Sequence, residues 1–213
     1  SAELAGLQSI DFEKVFPFID VTMANVFLKE TPFTEPAIKV QIFNAFISQQ
    51  NSISKEVAQV FENSIAEKLL GAQSEFEEGI QFIKKFSTDR FKEAEIVQNN
   101  LLQCLKTKTN PEREILLEIL LLQFKTSIEK KLVDEIQNII IGLAKDGAIA
   151  DKIFVISLIP SKINKTNFDL KKLFDTYLHG IKIMNVADLT LIMNAIIHPT
   201  IRGEIGDQEY EKF

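Results

Sequence analysis

From Asp11 to His198, apolar side chains recur every three or four positions, and short cap-and-turn signals separate the runs. That period belongs to amphipathic helices packed on a shared core. It predicts ten of them. The first, over 11–30, carries Phe12, Val15, Phe16, Ile19, Met23, Val26 and Phe27, and Pro17 inside it marks a kink or a later start. Thr31-Pro32-Phe33 reads as a turn. Thr34-Glu35-Pro36 opens a second helix that buries Ile38, Ile42, Phe43, Phe46 and Ile47. A third, capped by Asn51-Ser52, sets Ile53, Val57, Val60, Phe61, Ile65 and Leu69 on one stripe and ends at Gly71 as a C′ glycine.

Ser74-x-x-Glu77 has the form of a capping box for a fourth helix reaching Phe86, and Ser87-Thr88-Asp89 starts a fifth that runs to Thr107. Asn110-Pro111-Glu112 combines a cap, a proline at the first helical position and an acid facing the positive end of the helix dipole. The sixth helix, through Thr126, is apolar on most sides, as expected of one sandwiched between neighbours. A seventh spans 128–145 and closes on Asp146-Gly147. An eighth runs from Ala148 to Ile159, and a strand over 153–156 is disfavoured by its isolation. Thr166-x-x-Asp169 and Asn185-x-x-Asp188 open the last two, which end near Gly180 and His198.

Paired into antiparallel hairpins, the helices start near residues 11, 53, 89, 128 and 167. Steps of about 36 to 42 residues fall in the range of helical-hairpin solenoids. The arrangement resembles HEAT or armadillo-like repeats, and Val15-Phe16-Pro17-Phe18-Ile19 is similar to the proline-bearing first helix of a HEAT unit. Later units lack that proline, and none carries the Asp and Val-Arg signature of the second helix. The resemblance therefore covers architecture and transfers no functional residue. It implies an all-α fold, a short right-handed solenoid forming a single domain over 1–198; beyond it, Gly203, Gly206 and four acids predict a frayed acidic tail at 199–213. A compact irregular helical bundle is the alternative.

Composition narrows the function. With 46% hydrophobic residues and 25% charged residues, the 213-residue chain has the makings of a packed core. Scarcity of Gly (8) and Pro (6) disfavours a turn-rich β sandwich. Basic residues are nearly all lysine, the exceptions being Arg90, Arg113 and Arg202, and the net charge is -6. Bidentate phosphate and base recognition favours arginine, so nucleic acid is not the expected ligand. The single cysteine, Cys104, reads as a small apolar core residue. No basic leader with an apolar stretch opens the chain at Ser1, and a piece of a longer intracellular, cytoplasmic protein is expected. The apolar run 115–124 is broken by Glu118 and Gln123 and falls short of the ~20 residues that span a bilayer.

No catalytic, metal-ligating or phosphate-cradling motif interrupts the helices. His179 and His198 sit where an imidazolium favours a helix C-terminus. Paired acids such as Asp134-Glu135 have lysines at helical spacing and read as solvated faces. Asn164-Lys165-Thr166 matches a glycosylation acceptor at chance frequency. The 17 phenylalanines, many in the first fifty residues, are expected to be core, with a groove for an apolar ligand as the sharper reading. Phe18, off the main stripe, and Phe33, in a turn, are the candidates for exposed partner contacts. Lys162, Lys165, Lys171 and Lys172 surround one loop and form a candidate basic edge. The pattern leads to a non-enzymatic scaffold that binds a protein or peptide along one face and needs no cofactor. A carrier of an apolar ligand or lipid is the alternative.

Overall fold

A computed structural model describes residues 6–124 and 126–158, together with 175, 185–187 and 190. Every regular element among the described residues is helical. The chain divides into two compact units, Ser1–Cys104 and Leu105–Phe213.

In the first unit, the predicted opening helix comes in two parts. Helix α1 (Phe12–Val15) runs into a 3-10 turn at Phe16–Phe18, Ile19 is extended, and α2 (Val21–Lys29) starts anew. Pro17 brings no amide donor, and Asp20 recaps the chain, its Oδ1 accepting from the Met23 N–H at 2.8 Å. The restart resets the helical phase. Ala24 and Phe27 point inward, whereas Val15 and Met23, which one continuous helix places on the apolar face, are exposed.

Helix α3 (Pro36–Gln49) buries Ile38, Ile42, Phe43, Ala45 and Phe46, with Ile47 only half-buried. Helix α4 (Lys55–Leu70) is capped by Ser54, whose Oγ accepts from the Val57 N–H at 3.3 Å, rather than by Asn51-Ser52. It buries Val57, Ala58, Phe61, Ile65, Ala66 and Leu69, and packs against α2, α3 and α5 (Gln73–Ile83). This is the central helix of the unit. Gly71 ends it with an ordinary φ of -77°, not the left-handed conformation expected of a C′ glycine. At the start of α5, Glu75 rather than Glu77 completes the cap by accepting from the Ala72 N–H at 3.1 Å.

Phenylalanine rings fill the space between these helices. Phe61 lies 5.2 Å from Phe16, 5.8 Å from Phe43 and 5.0 Å from Phe46, centroid to centroid. Phe43 stacks on Phe82 at 4.7 Å, and Phe16 leads through Phe27 to Phe12. The core reading of this group holds for Phe12, Phe16, Phe27, Phe43 and Phe46, all at or below 5% exposure.

Gly79 lets α5 come close to α4. A Cβ there would sit 3.3 Å from Leu69 Cδ2 and Lys68 Cβ, and 3.4 Å from the Ile65 carbonyl oxygen. Gly79→Val is expected to destabilise the first unit by about 1–3 kcal/mol through overpacking. A lowered urea midpoint with an unchanged slope is the check, and an unchanged midpoint would show that the two helices separate freely.

The predicted fifth helix is also divided. Helix α6 (Thr88–Glu93) has its Ser87 cap, with Oγ accepting from the Arg90 N–H at 3.1 Å, but Ala94 (φ -81°, ψ 64°) breaks the run before α7 (Glu95–Thr107). Gln98 Nε2 donates to the carbonyls of Phe91 (2.6 Å) and Lys92 (3.2 Å) near the break. Asn100 Nδ2 donates to the Ala66 carbonyl at 2.8 Å and Cys104 Sγ to the Leu69 carbonyl at 3.2 Å, fastening α7 to α4.

In the second unit, α8 (Asn110–Leu117) passes into a π-helical turn at Glu118–Gln123. Leu116, Leu117, Ile119, Leu120 and Leu121 are buried, as expected of a helix apolar on most sides. The N-cap position is Thr109, one residue before the expected Asn110. Asn110 turns outward from that role: Nδ2 donates to the Ala150 carbonyl at 3.2 Å and Oδ1 accepts from Arg113 Nη1 at 3.0 Å. Helices α9 (Lys130–Asp146) and α10 (Ile149–Leu158) pack together, so 153–156 is helical. Lys152 Nζ donates to the carbonyls of Ala144 (2.9 Å) and Lys145 (2.6 Å), closing the C-terminus of α9. Among the described residues, no helix is long and apolar enough to cross a membrane.

Candidate functional site

Two surfaces of the first unit differ from an ordinary solvated exterior. The first is made by the broken opening helix. Phe18 closes the 3-10 turn with its side chain 87% exposed, and Val15, Val21 and Met23 around the same bend are exposed as well. A large exposed aromatic beside further apolar groups marks an interaction surface more often than a solvated one. Asp11, Glu13 and Asp20 surround the run, and Lys14 is engaged with Asp11 at 3.1 Å. Alongside lies a shallow groove of about 230 Å³ between residues 10–13 and α3, lined by Ile10, Asp11, Glu13, Gln41 and Asn44. The site is apolar with an acidic border.

The second surface is a polar cleft of about 450 Å³ between α4 and α6–α7. Gln59 and Glu62 of α4 face Arg90 and Glu93 of α6 and Glu95 and Asn99 of α7 across it, with Lys55 at one end. A second recess, sharing Lys55, Arg90 and Glu93, extends toward Gln50, Asn51 and Asp89. Gln50 braces that end, its Nε2 donating to the Ile47 carbonyl at 2.7 Å and its Oε1 accepting from the Ser87 N–H at 2.8 Å. At the floor, Arg90 and Glu62 are both buried, at 7% and 5% exposure. Arg90 Nε lies 3.3 Å from Glu62 Oε1, and Arg90 Nη2 donates to Glu93. The approach to Glu62 lacks hydrogen-bond geometry, leaving Oε1 without a hydrogen bond. Burial pushes the Glu62 carboxyl above its usual range, and Arg90 opposes that rise.

Other buried charges have structural explanations. Lys68 pairs with Glu78 and stands 5.8 Å from the Phe43 ring centroid, locking α4 to α5. Burial, followed by repulsion from Lys68, lowers the pKa of the neighbouring Lys39. In the second unit, Arg113 Nη1 meets Asp151 Oδ1 at 2.5 Å and Nε donates to the Leu105 carbonyl at 3.2 Å. No group of three or more His, Cys, Asp or Glu among the described residues is placed to hold a metal ion.

Of the residues singled out from sequence, Phe18 is exposed. Phe33 is half-buried, because its ring packs 5.1 Å from Phe27 as the chain turns back on itself. Lys162, Lys165, Lys171 and Lys172, with His179, His198 and Asn164, lie outside the described residues. The cleft was not foreseen. Glu62 interrupts no pattern on α4, and its partner is 28 residues away, from Glu62 to Arg90, on another helix. No protein-family model matches the chain, and no curated protein or solved structure does either. The resemblance to helical repeats accordingly rests on the sequence alone, on the spacing of helix starts and the proline within Val15-Phe16-Pro17-Phe18-Ile19.

Proposed function

We propose that this chain is a non-enzymatic binding module whose first unit docks a protein segment carrying an apolar side chain flanked by basic residues. The exposure of Phe18 carries this reading. Covering a phenylalanine of that exposure stabilises a complex by about 1.5–3 kcal/mol, enough to make it the centre of a contact. Acids at 11, 13 and 20 set the charge of the partner, and they disfavour a second copy of the same surface, which would bring acid against acid. The carrier reading draws on the same phenylalanines, whose rings here face one another.

Selection of amphipathic helical peptides on the full chain tests the proposal. Recovered peptides should combine an apolar anchor with Lys or Arg and weaken at higher salt. Phe18→Asp should weaken them by about tenfold or more, a loss of about 1.4 kcal/mol, with no change in thermal midpoint. Peptides that are acidic, or that bind Phe18→Asp equally well, would remove this assignment. Self-association abolished by the same substitution would replace the basic partner with a second copy.

A further inference from the structure

Independently of the Phe18 surface, we infer that the cleft between α4 and α6–α7 binds a small organic ammonium compound, held by the Glu62 carboxylate with Glu93 and Glu95 on the wall. A buried carboxylate oxygen without a hydrogen bond is costly, and only a donor relieves it. Arg90 supplies charge but no aligned hydrogen bond: its Nε pairs with Oε1 at 3.3 Å without hydrogen-bond geometry, and its Nη2 donates to Glu93. The terminal carboxyl torsion is soft and nearly two-fold, so a modest rotation offers either oxygen of Glu62 to the space it lines.

The lining sets the sign of the ligand. Glu62, Glu93 and Glu95 outnumber Lys55 and Arg90, and Asp89 adds a further acid in the adjoining recess. An anion would meet these carboxylates and leave the acceptor unsatisfied. A compact ammonium group brings three donors and one positive charge. Gln59 and Asn99 offer polar contacts for the rest of a short chain, and about 450 Å³ is ample for one. The raised pKa of Glu62 adds a consequence: an arriving cation favours the ionised carboxylate, so binding releases protons near and below the raised value.

Isothermal titration of the full chain with 1,4-diaminobutane at low salt provides the test. Saturable one-to-one binding is expected, and tetraethylammonium, a cation without N–H donors, should not bind. Glu62→Gln should weaken diaminobutane by about tenfold, a loss of about 1.4 kcal/mol. Lys55→Gln removes a competing cation from the same cleft and should tighten binding by about threefold, an outcome that damaged folding does not mimic. Exposed Glu95 provides a second check, with Glu95→Gln weakening binding by a smaller factor. Absence of saturation, equal affinity in Glu62→Gln, or equal binding of tetraethylammonium would overturn the assignment.

Discussion

Phe61→Ala is expected to destabilise the first unit by about 3–5 kcal/mol, a large share of the 5–15 kcal/mol typical of a folded domain. Phe61 is fully buried on the central helix, and its ring lies within 6 Å of Phe16, Phe43 and Phe46. Those three come from the 3-10 turn and α3, so the cavity would open between elements that cannot all close on it at once. Amide hydrogen exchange is the appropriate readout, because it separates the two units. Protection should fall across α3, α4 and α5. A loss below about 1 kcal/mol would mean that the surrounding rings repack into the space.

Arg90→Met should cost a similar amount, about 3–5 kcal/mol at neutral pH, by leaving the Glu62 carboxylate buried without its cation. The pH dependence distinguishes this cause from lost packing. A carboxyl whose folded pKa is raised favours the folded state below its unfolded value, near 4.5, and loses that advantage as pH climbs through the folded value. Removing Arg90 takes away the main influence holding the Glu62 pKa down. The deficit of Arg90→Met should thus be greatest near neutrality and shrink as pH falls toward 4.5. Adding Glu62→Gln should recover much of the loss, since an amide carries no charge to strand. Urea midpoints for the two variants between pH 4 and 7.5 decide the point, and a deficit independent of pH would assign the effect to packing.

Local signals were legible and cooperative ones were not. Pro17, Pro36 and Ser87 act in the structure as they read in the sequence, because a missing amide or a capping hydroxyl works within one turn. Ser74 and Glu77 read as a capping box, yet the helix starts after Ala72, whose methyl accepts nothing, and Glu75 alone caps by accepting from the Ala72 N–H; three acids lie within four positions, and the sequence does not decide among them. Nothing at Ala94 resembles a helix breaker. The break is accommodated by Gln98 reaching back to the carbonyls of Phe91 and Lys92. A π-helical turn at Glu118–Gln123 hides in a segment too uniformly apolar to reveal a change of period. The Glu62–Arg90 floor depends on two helices meeting, which no single periodicity encodes.

The thiol of Cys104 is 1% exposed and donates to a carbonyl of the helix beneath it. As the sole sulfhydryl in the sequence, it meets solvent when α7 lifts away from α4. The molecule thus carries a native chemical clock for openings that uncover this thiol, which a thiol-reactive dye can time without any inserted label.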